Sequence, residues 1–199
     1  MNPIFAAAAD VQAFCRLHQW RFCFIGTLAV QRWGEPRLTQ DVGLTVITGF
    51  GGEEACVDAL LSRFRPRRPD GREFALAYRV LLLYSATSIP IDVALGAMPF
   101  EERAAARASD FSINDTITLR TCSAEDLIVF KAFAGRDQDW LDIEGIAVRQ
   151  RSRLDEAQVW AEISPLLELK GTPEAADRLR AVLARTRGGS AGSRSITRF

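Results

Sequence analysis

Four short stretches of this 199-residue chain carry residue types suited to phosphate and metal chemistry. I-G-T (25–27) ends an apolar run, and a small Gly26–Thr27 turn ahead of a helix lets backbone N–H groups and a hydroxyl approach a phosphate. T-Q-D-V-G-L-T-V (39–46) holds Asp41 in a β-branched run, with Gly43 two positions later, and alternate residues of a strand share a face. I-P-I-D-V-A-L (89–95) contains the isolated acid Asp92, and Lys131 precedes the acidic run R-D-Q-D-W-L-D (136–142) with Asp137, Asp139 and Asp142. Carboxylates on adjacent strands are hard oxygen ligands suited to Mg²⁺, which usually also binds substrate phosphates. A helical lysine neutralises triphosphate charge during transfer.

Each residue also has a plainer reading. Asp41 alone reads as a turn or cap residue, and Lys131 alone as a solvated helix residue. G-F-G-G (49–52) is neither G-x-G-x-x-G nor a Walker motif, and reads as a flexible strand-to-helix connection. His18 reads as a surface or packing residue, with no serine or cysteine setting that would make it catalytic. R-F-R-P-R-R-P-D-G-R (63–72) reads as a solvated loop that, as the strongest local basic patch, also offers a contact for a polyanion. Asp92 resists the plain reading, because acids rarely sit unpaired inside strands.

The elements that must position these residues follow from periodicity and turn chemistry. Apolar positions at helical spacing predict an opening helix over 3–19, and R-F-C-F-I-G (21–26) a short strand. A helix over 27–34, stopped by Gly34 and Pro36, leads to a second strand over 41–48 and a helix over 53–64. P-R-R-P-D-G (66–71) is turn chemistry. Strands are expected over 79–84, 89–95 and 116–120, and a short helix over 99–108. From Ser123 the pattern turns helical, over about 124–134, 138–151, 155–168 and 173–186, before a Gly/Ser-rich tail. A mixed front and a helical back predict α/β or α+β architecture, with a core over 1–121, a helical region over 122–187 packed on it and a disordered tail over 188–199.

Composition narrows the function classes. Lys+Arg and Asp+Glu number 25 each, so bulk charge does not steer the chain toward nucleic acid or anionic membrane. Four scattered cysteines without a C-x-x-C pair, and a single histidine, argue against structural zinc and fit a reducing cytoplasm. The N-terminal stretch lacks the basic region of a signal peptide, and no apolar run approaches the roughly 20 residues needed to cross a bilayer. A soluble cytoplasmic protein is expected.

In combination, apolar-Gly-small (25–27), Asp-apolar-x-apolar (41–44) and a distant strand Asp92 resemble the nucleotidyltransferase superfamily. F-I-G-T-L-A-V-Q-R-W-G-E-P-R-L-T-Q-D, I-D-V-A-L-G-A-M-P-F-E-E-R and S-A-E-D-L-I-V-F-K-A-F-A-G-R-D-Q-D-W-L-D-I more closely resemble its AbiEii type, which includes toxins of toxin–antitoxin and phage-defence systems. The resemblance covers about residues 20–150. It implies a mixed-sheet nucleotidyltransferase core with a C-terminal helical bundle. It also implies Mg²⁺-dependent transfer of a nucleoside monophosphate (NMP) from a nucleoside triphosphate (NTP) to a hydroxyl of tRNA or protein, and an antitoxin partner. Asp41 and Asp92 would be metal ligands and catalytic residues. Gly26, Thr27, Arg37, Thr39 and Lys131 would bind the nucleotide, Lys131 also being catalytic, with Asp137, Asp139 or Asp142 in support.

One departure stands out. The superfamily's D-x-D pair places its second metal-binding acid where this chain has Gly43. Three readings follow: a fold member with lost or reduced transfer that still binds NTP; an active enzyme whose metal shell is completed by water, Asp137, Asp139 or Asp142; or a non-catalytic interaction module that keeps the scaffold.

Overall fold

The computed structural model describes residues 2–188, and the tail expected over 188–199 lies, from 189 onward, outside the described residues. The described chain divides into two compact units, residues 2–32 with 36–123, and residues 33–35 with 124–188.

The first unit is a mixed sheet and its helices. Its elements are α1 (Pro3–Leu17), β1 (Phe22–Ile25), α2 (Gly26–Trp33), β2 (Val42–Ile47), α3 (Glu53–Arg63), β3 (Arg65–Pro66), α4 (Gly71–Tyr78), β4 (Val80–Tyr84), β5 (Pro90–Gly96), α5 (Pro99–Arg107), β6 (Ser109–Ser112) and β7 (Thr118–Thr121). The strands form one seven-stranded sheet in the order β3-β4-β5-β2-β1-β7-β6. β2 runs parallel to β5 and β1 parallel to β7, whereas the other neighbours are antiparallel. One face carries the core: Phe22, Phe24, Val42, Leu44, Val46, Leu81, Leu83, Ile91, Val93, Leu95 and Leu119 pack with Ala8, Val11 and Cys15 of α1 and Val57 and Leu60 of α3. The buried Gln12 of α1 locks the helix to β7, donating through Nε2 to Thr118 O (2.7 Å) and accepting through Oε1 from Arg120 N (2.9 Å). Both polar ends of that side chain are therefore satisfied, as burial requires.

On the opposite face α5 contacts β1 and β2. Glu101 accepts from the Ala97 and Met98 N–H groups at 3.0 Å, closing the helix start, and its other oxygen receives Thr45 Oγ1 of β2 at 3.4 Å.

The second unit is helical: α6 (Ala124–Ala134), α7 (Asp137–Gln150), α8 (Glu156–Lys170) and α9 (Pro173–Gly188). Its interior is formed by Leu127, Ile128, Ile143, Ile146, Val159, Ile163, Leu179 and Leu183, all fully buried or nearly so. Asp155 caps α8 by accepting from Gln158 N at 3.0 Å, and Gly171 ends it at φ +71°. No helix among the described residues is long and apolar enough to cross a membrane.

Most expected elements are present, but α4, β3 and β6 were not anticipated, and β2 begins at Val42 rather than Asp41. Ladder pairing starts with Val42 opposite Ile91, which leaves Asp41 in the bend that enters the strand.

Candidate functional site

The register of three strands assembles the first unit's candidate residues. Gly43 pairs with Ile25 of β1 on one side and with Asp92 of β5 on the other. Paired residues of neighbouring strands point to the same side, about 4.8 Å apart. Since Val42, Leu44, Ile91 and Val93 face the core, Gly43 and Asp92 face away from it. Gly26 directly follows Ile25 and Asp41 directly precedes Val42, so both flank the same end of the sheet.

The two glycines of this cluster are there for different reasons. Gly26 opens α2 at φ +62°, a left-handed conformation that side chains rarely adopt. Gly43 has no such need: a Cβ there would lie 3.7 Å from Ile25 O and 3.8 Å from Ile25 Cγ1, ordinary contact distances. Neither its backbone nor its neighbours exclude a Cβ. The position beside Asp92 therefore has room for a Cβ and carries no side-chain oxygen.

Asp41 is exposed, with Thr39 Oγ1 2.9 Å from its carbonyl oxygen and 3.2 Å from Oδ1. Thr27 and Arg37 are half-buried, and the Arg37 carbonyl accepts from Gln31 Nε2 at 2.6 Å. Asp92 is partly exposed, and Arg67 Nη1 donates to its Oδ1 at 2.5 Å.

Sequence reading missed that ion pair. Arg67 belongs to the basic stretch 63–72, most of whose arginines pair with acids, Asp70 within the stretch and the others elsewhere in the first unit. Arg63 pairs with Asp10 (3.0 Å), Arg68 with Asp70 (2.9 Å) and Arg72 with Asp58 (2.7 Å), and Arg65 stacks 4.5 Å over the Tyr84 ring. These partners leave little of the patch to attract a polyanion. The G-F-G-G connection, expected to be flexible, is tied down by Arg79. Its guanidinium donates to Leu95 O (2.9 Å), Gly49 O (3.0 Å) and Thr48 Oγ1 (3.1 Å) and pairs with Glu53.

Lys131 belongs to the second unit and is buried, not solvated. Its Nζ donates to Asp142 Oδ2 at 2.5 Å and to Asp139 Oδ1 at 3.1 Å. Arg136 adds donors to Asp139 through Nε (2.8 Å) and its backbone N–H (3.2 Å). Burial by itself pushes the Asp139 carboxyl up, but the Arg136 hydrogen bonds and the Lys131 charge outweigh it and hold it below the usual carboxylate range. Asp137, in contrast, has a fully solvated side chain, 3.5 Å from Arg178.

Other catalytic chemistries find little support. All four cysteines are free and buried, and burial pushes the Cys15 and Cys56 thiols up to about 12, far from the thiolate a nucleophile requires. His18 stacks on Trp20 at 4.7 Å and contacts Phe14 at 4.4 Å, a packing role.

A solved structure with this architecture exists. An antigenic nucleotidyltransferase-like protein from Paracoccidioides brasiliensis aligns at TM-score 0.51 and 14% identity, over 89% of this chain and 92% of that one. The fold is nucleotidyltransferase-like. The antibiotic-resistance factor ANT(2'')-Ia aligns at TM-score 0.45 and 14% identity, over 94% of this chain and 92% of that one. The fold assignment rests on the first of these. No protein-family model and no curated protein matches the sequence.

For a nucleotidyltransferase-like fold the group to test is a divalent metal held by strand carboxylates. The residues present do not fit it. Position 43 offers no oxygen, Asp92 Oδ1 is engaged by a guanidinium, and no group of three or more His, Cys, Asp or Glu among the described residues is placed to hold a metal.

Proposed function

We propose that this chain is a nucleotidyltransferase-like protein of the AbiEii type that retains a site for an NTP and has lost its NMP-transfer activity. One observation carries the reading: Gly43 lies in register with Asp92, on the same side of the sheet, where an added Cβ would meet only ordinary contacts. Phosphoryl transfer depends mainly on positioning and on neutralising charge. A site short of one acid, with another neutralised by an arginine, keeps the first better than the second.

The binding half of the site is better preserved. Gly26 and Thr27 at the start of α2 offer N–H groups and a hydroxyl to phosphates, with the helix dipole in their favour. Arg37 and Thr39 follow on the approach to β2. The resemblance also makes Lys131 of the second unit a nucleotide-binding residue, and there Asp139 and Asp142 hold its ammonium. The reaction the resemblance implies is Mg²⁺-dependent transfer to a tRNA or protein hydroxyl in the cytoplasm, with an antitoxin as partner. Asp41 and Asp92 are what remains of its metal-binding acids.

Equilibrium binding of fluorescent NTPs to the whole chain tests the retained site. Saturable binding weakened by Arg37→Ala supports the reading. Absence of binding to every NTP contradicts it.

A further inference from the structure

Arg67 reaches Asp92 by a defined route. Its backbone N–H donates to Leu82 O at 2.9 Å, which anchors it beside β4, and Leu82 is the register partner of Asp92 in the β4–β5 pair. From that anchor Nη1 comes within 2.5 Å of Asp92 Oδ1. The two side chains are 26% and 39% exposed, so water screens the pair only in part. A guanidinium keeps its charge at every pH a folded protein meets. Its Nη1 takes up Oδ1, one of the carboxylate oxygens that a hard cation would use.

We infer that Arg67 occupies the cation's place at Asp92: a permanent counter-ion built into the chain that excludes divalent metal from this face of the sheet. The inference rests on the proposed reading of Asp41, Gly43 and Asp92 as carboxylate positions. It adds that two changes, not one, separate this chain from metal binding. Gly43 removes a ligand, while Arg67 places a positive charge where a metal would sit. A divalent ion approaching Asp92 would have to displace the guanidinium or share its carboxylate against like-charge repulsion.

Mn²⁺ binding to the full chain without nucleotide, followed by water-proton relaxation, tests this directly. Wild type is expected to show no stoichiometric Mn²⁺. Gly43→Asp combined with Arg67→Gln is expected to bind roughly tenfold or more tightly than Gly43→Asp alone, the scale on which neighbours of metal ligands act. Gly43→Asp combined with Arg67→Lys, which keeps the charge, should gain nothing. Equal affinity of the Gln and Lys combinations, or of Gly43→Asp alone, overturns the inference. Should the neutral combination fail to fold, Gly43→Asp combined with Arg67→Met replaces it with the same expected and overturning results, and stoichiometric wild-type Mn²⁺ abolished by Asp92→Asn overturns the inference. NTP binding in EDTA reads the proposed function independently. Its loss contradicts that function, while the Mn²⁺ series still decides the role of Arg67.

Discussion

Gly43 and Asp92 are register partners across a parallel pair of strands, and a Cβ on the glycine would meet only ordinary contacts. A glycine that is structurally unnecessary inside a strand costs backbone entropy for no packing gain. The comparison with Gly26, whose positive φ requires glycine, makes the difference measurable.

Alanine substitutions should therefore move stability in opposite directions. Gly43→Ala is expected to stabilise the chain by roughly 0.4–1 kcal/mol, by restricting the unfolded chain at a compatible position. Gly26→Ala should cost about 1–2 kcal/mol, the penalty of a left-handed backbone for a residue with a Cβ. Urea unfolding of both variants checks the pair, and destabilisation by Gly43→Ala would mean that the position has a structural need for glycine.

Lys131 anchors a buried charge cluster as well as carrying a proposed nucleotide role. Lys131→Ala leaves Asp139 and Asp142 buried without their ammonium and should cost about 3–5 kcal/mol. A loss under about 1 kcal/mol in urea unfolding, the value typical of exposed pairs, would show that the cluster is solvated in solution.

Asp139 gives that cluster a pH signature. Its carboxyl is held below the usual range in the folded protein, so the unfolded chain takes up the proton first as pH falls. The stability it contributes is complete above its unfolded value of about 3.9 and declines as pH falls toward its lower folded value. Thermal melting between pH 5 and pH 2 should show this acid loss, and Asp139→Asn should flatten it. An unchanged slope in the variant would assign the acid sensitivity elsewhere.

How much of this was legible in the sequence differed from element to element. Helices such as α6 to α9 carry long apolar periodicity and capping residues, and their limits were readable within a few residues. R-E-F-A-L-A-Y was lost as α4 because it sits between a Pro/Gly turn and the apolar strand β4, too short to establish a helical period. S-D-F-S was lost as β6 because a mostly exposed edge strand shows no buried alternation. In the candidate site, Gly26, Asp41, Gly43 and Asp92 were readable as residue types at known spacings. The Arg67–Asp92 pair was not, because its partners lie 25 positions apart and only the sheet register brings them together. Burial of Lys131 was hidden for a similar reason: its acids stand 8 and 11 positions on, in the following helix.

The most direct test of lost transfer is a labelling assay. Wild type and Asp92→Asn are incubated with Mg²⁺, each of the four labelled NTPs, and total tRNA or cell lysate. The account predicts that wild type attaches no more label to any acceptor than Asp92→Asn does. Labelled tRNA or protein that appears with wild type and disappears with Asp92→Asn would contradict it.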